Sequence, residues 1–277
     1  MHTGKPTKEG LFARQCVDTK DTDENSLLKR KALLIGAPDD GETLYLDGVI
    51  VDVDRFHQYL KTPLGGAWRD EEIVTLVSPH KREIDRALKF LADADYTFIT
   101  FSGHGGYNSF ERSIEIALRP GVTFGTRQFE GLTPKQTIVL DCCQKRFVPS
   151  IEAEALTIKF LTETAAFLNP VRARQEFDAW LSKCASACLV LKACSIDEFA
   201  YDGGAEGGLY SSTLIKMAED FERYMETLEE FTAVVDVEHI HRLARHDVQR
   251  LKAFLQNPDI EMPKSMKPLF PFAVFTR

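Results

Sequence analysis

No apolar run in the sequence approaches the roughly 18 residues that a membrane-spanning helix needs. The N-terminal stretch MHTGKPTKEGLFARQCVDTK has no apolar core of secretory type. A membrane partner is therefore not expected, and the chain is expected to stay in the cytoplasm. An excess of positive charge is also missing. The 34 Lys and Arg stand against 42 Asp and Glu, for a formal charge of −8, which argues against nucleic acid as the main partner and fits basic partners or simple solubility. There is no Cys-x-x-Cys pair. The six cysteines at 16, 142, 143, 184, 188 and 194 do not read as a disulfide framework without a secretory signal. Core thiols, one catalytic thiol or a metal site remain open. Zinc is disfavoured, because His241 and His246 stand five apart on an expected helix and do not share a face. Cys184-x3-Cys188 and the His239, His241, His246 set then read as core thiols and a solvated helix face. Aromatic residues are not scarce: 19 Phe, 7 Tyr and 2 Trp can bury enough surface to offset chain entropy, which excludes disorder as the main state.

Residues 1–30 are polar and charged and show no period, apart from an element suggested near Leu11–Cys16, and read as an arm. From Lys31 the pattern changes. KALLIG, EEIVTLV, DYTFITFSG, QTIVLDCC and SACLVLKAC are short apolar runs of buried-strand type. Between them, Val49, Val53, Phe56 and Leu60 form one helical stripe, and Ile84, Ala87, Leu88 and Leu91 another. Ser78-Pro79 predicts the N-cap and first-turn proline of the second helix. RQEFDAWLSKC reads as an amphipathic piece. The Gly-rich YDGGAEGG leads into helices over about 208–230 and 236–256, the first with an acidic wet side from Glu219 to Glu230. FAVF reads as a last strand. Alternating strands and helices predict an α/β fold: a mainly parallel sheet of about six strands with helices on both faces.

In such sheets the sites lie at the carboxyl ends of the strands. Two strand ends carry reactive groups there: Phe101-Ser102-Gly103-His104-Gly105-Gly106 and Leu140-Asp141-Cys142-Cys143. A Cys nucleophile needs an imidazole to take its proton and later protonate the leaving amine. The glycines beside His104 let a peptide carbonyl approach, and the Gly105 N–H is free to face an oxyanion. Taken singly, a His in a Gly-rich loop and a Cys at a strand end also fit structural roles. Side chains alternate along a strand, which places Asp141 and Cys143 on one side and Cys142 on the other. Ser102 and His104 share a side by the same count. Asp39-Asp40-Gly41 reads as a turn at a strand end near the site.

KALLIG, LDGVIVDV, FSGHGG and IVLDCC, in that order, resemble the caspase–metacaspase clan of cysteine peptidases, specifically bacterial metacaspase-like members. LKACSIDEFAYD, GGLYSSTLI and FPFAVF agree, so that the resemblance covers about residues 30–277. It implies a caspase-type three-layer sandwich over 31–277, with a large-subunit-like part (31–146), a linker segment (147–185) and a small-subunit-like part (186–277). It implies His104 as general acid/base, Cys143 as nucleophile, and the N–H groups of Gly105 and Cys143 as oxyanion hole. Asp52, Asp141 and Ser102 match the segments that line the pocket for the residue before the scissile bond. That implies protein or peptide substrates cut after Arg or Lys. Clan members are often cut in the linker during activation, which puts any self-cleavage after a basic residue in 144–183. Two departures stand out. Gln144-Lys145-Arg146 replaces the usual His-Ser-Gly, and residues 105–140 hold no Asp, only Glu111, Glu115 and Glu130. Calcium activation is thus unsupported, and no cofactor or metal is expected. Beside an active endopeptidase stand a catalytically silent scaffold and a peptidase gated by an activating ligand or partner protein, including one with a non-basic preference. Bacterial relatives suggest a role in cell death or antiphage defence.

Overall fold

The computed structural model describes residues 28–146, 169–225, 232–264 and 267–276. The suggested element near Leu11–Cys16 lies outside them. Five apolar runs become the parallel part of one sheet: β1 (Arg30–Ala37), β2 (Ile73–Val77), β3 (Tyr96–Gly103), β7 (Lys135–Asp141) and β8 (Ala187–Lys192). Between β3 and β7 lies a separate antiparallel meander: β4 (Gly105–Asn108), β5 (Ser113–Arg119) and β6 (Val122–Gly125). The sixth strand of the main sheet is β10 (Asp259–Glu261), antiparallel at the edge beside β8, in the order β10-β8-β7-β3-β1-β2. The C-terminal β11 (Pro271–Thr276) contains the expected FAVF strand. It pairs instead with β9 (Thr232–Asp236) in a two-stranded ribbon away from the main sheet.

Every residue of β3 is buried, and β1 is buried at all but Lys31, as parallel strands covered on both faces require. One face carries α1 (Gly48–Lys61), α3 (Pro170–Lys183), α4 (Leu209–Met225) and α5 (Val237–Leu251). They pack Val53, Phe56, Phe177, Leu214 and Val248 against Leu34, Phe98 and Val139. The other face carries α2 (Lys81–Leu91) and the meander, with Ile84, Leu91, Ile116 and Phe124 against Ile35, Phe101 and Leu140. The three layers are as expected, but a small sheet does part of the work of helices on the second face.

Several boundaries differ from the sequence reading. Arg30 is no part of a polar arm. It is fully buried at the start of β1, its guanidinium 4.7 Å from the Trp68 ring centroid and 4.8 Å from that of Phe177, and it pairs with Asp178 at 3.3 Å. Ser78 does not cap α2. Its N–H extends the β1–β2 ladder to Gly36 O, its backbone is left-handed (φ 44), and His80 caps the helix with Glu83 reaching back to its N–H. The second half of the expected linker is helix α3, capped by Asn169 with Pro170 at its first position. Residues 147–168 lie outside the described part. The last helix ends at Leu251 rather than near 256, where Ala253 and Phe254 turn left-handed.

This topology sets the site. From β1 the chain moves outward to β2, then returns across β1 to β3 on its other side. The carboxyl ends of β1 and β3 therefore flank a switch point, where an open α/β sheet leaves a crevice.

Candidate active site

His104 follows β3 and Cys143 follows β7 by two residues. These strands are adjacent and parallel, with Ser102 opposite Asp141 as the last pair. Two further residues along each strand bring His104 and Cys143 abreast at the carboxyl edge. Gly103 makes the turn into the histidine: its φ is 152 and a Cβ there would stand 2.4 Å from Ala37 O, which excludes other residues.

Two neighbours hold the imidazole. Nε2 lies 2.8 Å from Leu44 O, and the Thr43 hydroxyl stands 3.1 Å from each ring nitrogen. A carbonyl only accepts, which puts the Nε2 proton on Leu44 O and leaves Nδ1 to exchange protons. No hydrogen bond joins His104 to Cys143. The Cys143 thiol accepts from the Ala200 N–H at 3.4 Å and donates to Ala200 O at 3.7 Å. Burial raises the thiol above its ordinary range, partly offset by that N–H.

The neighbouring thiol takes the other side. Cys142 is 2% exposed and packs with Leu140 and Ile138 in the second core, as strand alternation predicts. Gln144, at the first departure from the clan pattern, is a buried pin. Its N–H donates to Glu198 O (3.1 Å), its carbonyl accepts from Asp197 N–H (3.0 Å), and its amide reaches Cys194 O. The next residue accepts from β4 through Tyr107 N–H to Lys145 O at 3.0 Å. In β4, His104 O receives the Ala117 N–H. Amides alternate direction along a strand, so Gly105 N–H points away from β5, to the side on which Tyr107 N–H meets the cysteine loop.

Beneath the strand ends lie the acids. Asp52, on the buried stripe of α1, accepts from the Ser102 hydroxyl (2.5 Å) and Gly208 N–H (2.8 Å). Asp141, the last residue of β7, accepts from Ser211 N–H in the first turn of α4 at 2.8 Å. Both close on one point: a Cβ built on Gly208 would stand 2.5 Å from Asp141 Oδ2 and 2.9 Å from Asp52 Oδ2. Burial, and then the Asp141 charge, hold the Asp52 carboxyl well above the usual range. Burial pushes Asp141 up to about 6, against the hydrogen bonds of Ser211. Asp202 adds a third acid that the sequence reading did not single out. Its carboxylate takes the Gly48 N–H (3.2 Å) and Gly204 N–H (3.0 Å), and burial raises it. Its position in LKACSIDEFAYD, a block already aligned with the clan, was the available signal. The Asp39-Asp40-Gly41 turn also belongs here: Asp40 Oδ2 lies 3.9 Å from His104 Nδ1.

The six expected site residues, Asp52, Ser102, His104, Gly105, Asp141 and Cys143, thus gather around one strand edge. The metal-type residues do not gather. Cys184 donates to Trp180 O and Leu269 O, and buried His241 meets the Tyr210 hydroxyl at 2.6 Å. Glu115 is held by Asn108 and Thr123. Among the described residues no group of three or more His, Cys, Asp or Glu is placed to hold a metal ion. No described helix is long and apolar enough to cross a membrane.

A sequence model described as the caspase domain matches residues 29–270. Among solved structures, caspase-1 of Spodoptera frugiperda is similar over 90% of this chain and 93% of its own, at 15% identity and a TM-score of 0.51. A protein of Geobacter sulfurreducens is similar over 87% of this chain and 95% of its own, at 14% identity and a TM-score of 0.55. At these identities the two structures speak for the fold alone. No curated protein matches the sequence.

Proposed function

This chain belongs to the caspase domain family, a family of cysteine peptidase-type hydrolases, and on that premise we propose that it is a cysteine endopeptidase that cuts after Arg or Lys with Cys143 and His104. The observation that carries the reading is the site's layout. A cysteine and a histidine each stand two residues past the last pair of two adjacent parallel strands. That pair joins Ser102 to Asp141, one of two buried carboxylates that close on one point.

His104 Nδ1 takes the proton from Cys143 Sγ. The thiolate attacks the scissile carbonyl carbon, and its oxygen gains the negative charge. The Gly105 N–H, pointing to the cysteine loop, and the Cys143 N–H are the donors for that oxygen. The imidazolium then gives its proton to the leaving amine as the C–N bond breaks, leaving a thioester. Water, deprotonated by the same imidazole, releases the acid and restores the thiol. Nε2–H stays on Leu44 O throughout, which keeps one tautomer in use.

The specificity proposal rests on charge. An ionised carboxylate about 4 Å from a guanidinium gains up to ~4 kcal/mol at an effective dielectric near 20, and a substrate carboxylate there meets repulsion of like size. Two acids held by Ser102, Gly208 and Ser211 suit a forked guanidinium better than an ammonium. The gated variant has its own support. One segment, 200–211, touches the nucleophile through Ala200 and both pocket acids through Gly208 and Ser211. We take this as a resting arrangement that a ligand or partner would shift. A role in cell death or antiphage defence is the proposal for its setting and rests on the clan resemblance.

The test is a fluorogenic peptide panel on the purified chain, with and without cell lysate, using wild type, Cys143→Ala, Asp52→Asn and Asp141→Asn. Cleavage after Arg and Lys that vanishes in the first variant and weakens in the other two supports the reading. Preference for Asp or an aliphatic residue, unchanged by either acid substitution, refutes the basic pocket.

A further inference from the structure

We propose that Asp40 and Thr43 form a positioning pair for His104, one that orients the imidazole and stabilises its protonated form across the switch point. The inference rests on the peptidase reading above. Its observations lie in the loop between β1 and α1, which the sequence marked as a turn at a strand end near the site.

The loop is built around one carboxylate. Asp40 Oδ1 accepts from Glu42 N–H (2.9 Å) and Thr43 N–H (2.8 Å), and both its oxygens lie 3.0 Å from Thr43 Oγ1. Gly41 has φ 82, and a Cβ there would stand 2.9 Å from Pro120 Cβ, so the turn is seated against the β5–β6 connection. Thr43 Oγ1 therefore has a fixed position between the Asp40 carboxylate and the imidazole. Asp40 and His104 have side chains 17% and 16% exposed, little enough for the charge to act at reduced screening.

A hydroxyl has one proton and two lone pairs, and the pair uses this. With the imidazole neutral, the Thr43 proton points to Nδ1 or to Asp40. When Nδ1 takes the proton of Cys143 the ring becomes positive, and the Thr43 hydroxyl then presents its oxygen to the ring and its own proton to Asp40. No proton leaves the pair. The thiol proton ends on Nδ1, free to pass to the leaving amine, and the imidazolium faces a hydroxyl oxygen backed by a negative charge 3.9 Å away. The Asp40 carboxyl is ionised for this task. Partial burial would raise it, but the N–H groups of Glu42 and Thr43, and then His104, outweigh burial and hold it below the usual range. The other acid that interacts with the ring differs: Asp202, from the loop before α4, is committed to Gly48 and Gly204.

Asp40→Asn is the informative substitution, because the amide oxygen can still accept from Glu42 and Thr43 and keep the turn while the charge is lost. Thr43→Val removes the hydroxyl at constant shape, and Thr43→Ser restores it. Two profiles are read on the full chain: kcat/KM against pH on the best basic peptide, and the rate of Cys143 alkylation by iodoacetamide against pH, localised by mass spectrometry. Asp40→Asn and Thr43→Val should each lower kcat/KM roughly 10- to 100-fold. Each should also move the acid limb of the kcat/KM profile down by about one pH unit, a tenfold change in the stability of the protonated imidazole, and slow alkylation near neutral pH roughly tenfold, because less thiolate stands beside an imidazolium. Thr43→Ser should return to near wild type. Reduced activity with an unmoved acid limb and unchanged alkylation, or Thr43→Ser as impaired as Thr43→Val, overturns the proposal. If wild type cleaves no peptide yet alkylation slows as stated, the positioning pair stands and the peptidase reading falls. If wild type cleaves and neither profile moves, the pair alone falls.

Discussion

Replacing Asp141 by Asn should make the protein more stable at pH 8 and no more stable near pH 4. Asp141 is fully buried beside Asp52 and Asp202, and burial pushes its carboxyl up to about 6, whereas an unfolded chain holds an Asp near 3.9. A raised folded-state value means that the fold binds this proton more tightly than the unfolded chain does. The resulting stability is complete below about 4 and is lost as pH rises through about 6. About two units at 1.36 kcal/mol each give a contribution on the order of 3 kcal/mol between the two limits. Asn keeps an acceptor for the Ser211 N–H and removes the charge. Its benefit at pH 8 should therefore approach that figure, or a rise in Tm of roughly 6–12 °C for a domain of this size. The melts should be run in a Cys143→Ala background, so that self-digestion does not intrude. Other buried acids also titrate, Asp178 and Glu219 upward and Glu72 downward, so the diagnostic quantity is the difference between variant and parent at each pH. A difference that stays constant from pH 4 to pH 8 would refute the argument, as would a variant less stable than its parent at pH 8.

Cys143→Ala should abolish peptide cleavage, while Cys142→Ala should keep a measurable fraction of it and lose stability by about 1–2 kcal/mol for the cavity left in the second core; the opposite pattern in kcat would overturn the strand-alternation argument. Gly208→Ala places a methyl group at the point on which Asp52 and Asp141 close, 2.5 Å from one oxygen and 2.9 Å from the other. Cleavage of Arg peptides should fall at least about 100-fold, on the scale of a lost positioning interaction, and full retention of Arg cleavage would show that the pocket lies elsewhere. Self-cleavage should spare Arg172, Arg174 and Lys183, because all three stand in α3 and Arg174 is bound to Glu72, whereas a peptidase needs extended backbone. Intact-mass analysis should place any basic-site cut at Lys145, Arg146 or Lys159, the last outside the described residues. Cuts inside α3, or only after acidic residues, would contradict this.

Those parts of the fold were legible where burial leaves a pattern that composition can show. β1, β3 and β7 are covered on both faces, so their residues form near-continuous apolar runs, and α1 and α2 each bury one stripe. The edge strand β10 is three residues long, with two acids in Asp259-Ile260-Glu261, and no periodicity exists over that length. FAVF was legible as a strand but not as part of a ribbon, because a strand's own residues do not name its partner; that partner, β9, is five residues long and falls between the helices read over about 208–230 and 236–256. The same limit applies at the site. The order of His104 and Cys143 along the chain, with side-chain alternation, was enough to separate Cys143 from Cys142. That Asp40 and Thr43 face His104 was not legible, since β1 and β3 become neighbours only through the return crossing of the sheet.

The acids of the pocket also carry a structural load, and this constrains how specificity and restraint can be separated. Asp141 accepts from the first turn of α4, and Asp52 from the residue just before it. An anion there is favoured by the helix N-terminus, which offsets part of the burial that raises both groups. A substrate cation entering the pocket adds a third partner to carboxylates whose other lone pairs are already used by Ser102, Gly208 and Ser211. A carboxylate has room for several donors, so the backbone contacts need not break for the cation to bind. Stronger pairing of the acids with the cation does, however, weaken their pull on the 207–211 backbone. That backbone continues through the Leu209 N–H to Tyr201 O, one residue from the Ala200 peptide that holds the Cys143 thiol. Pocket occupancy and release of the nucleophile are thus joined by a short run of covalent and hydrogen-bonded links within one segment. The link predicts a cooperative signature: a small guanidinium compound in the pocket should change the rate at which Cys143 reacts with iodoacetamide, and Asp52→Asn should remove that effect while leaving the unstimulated rate in place.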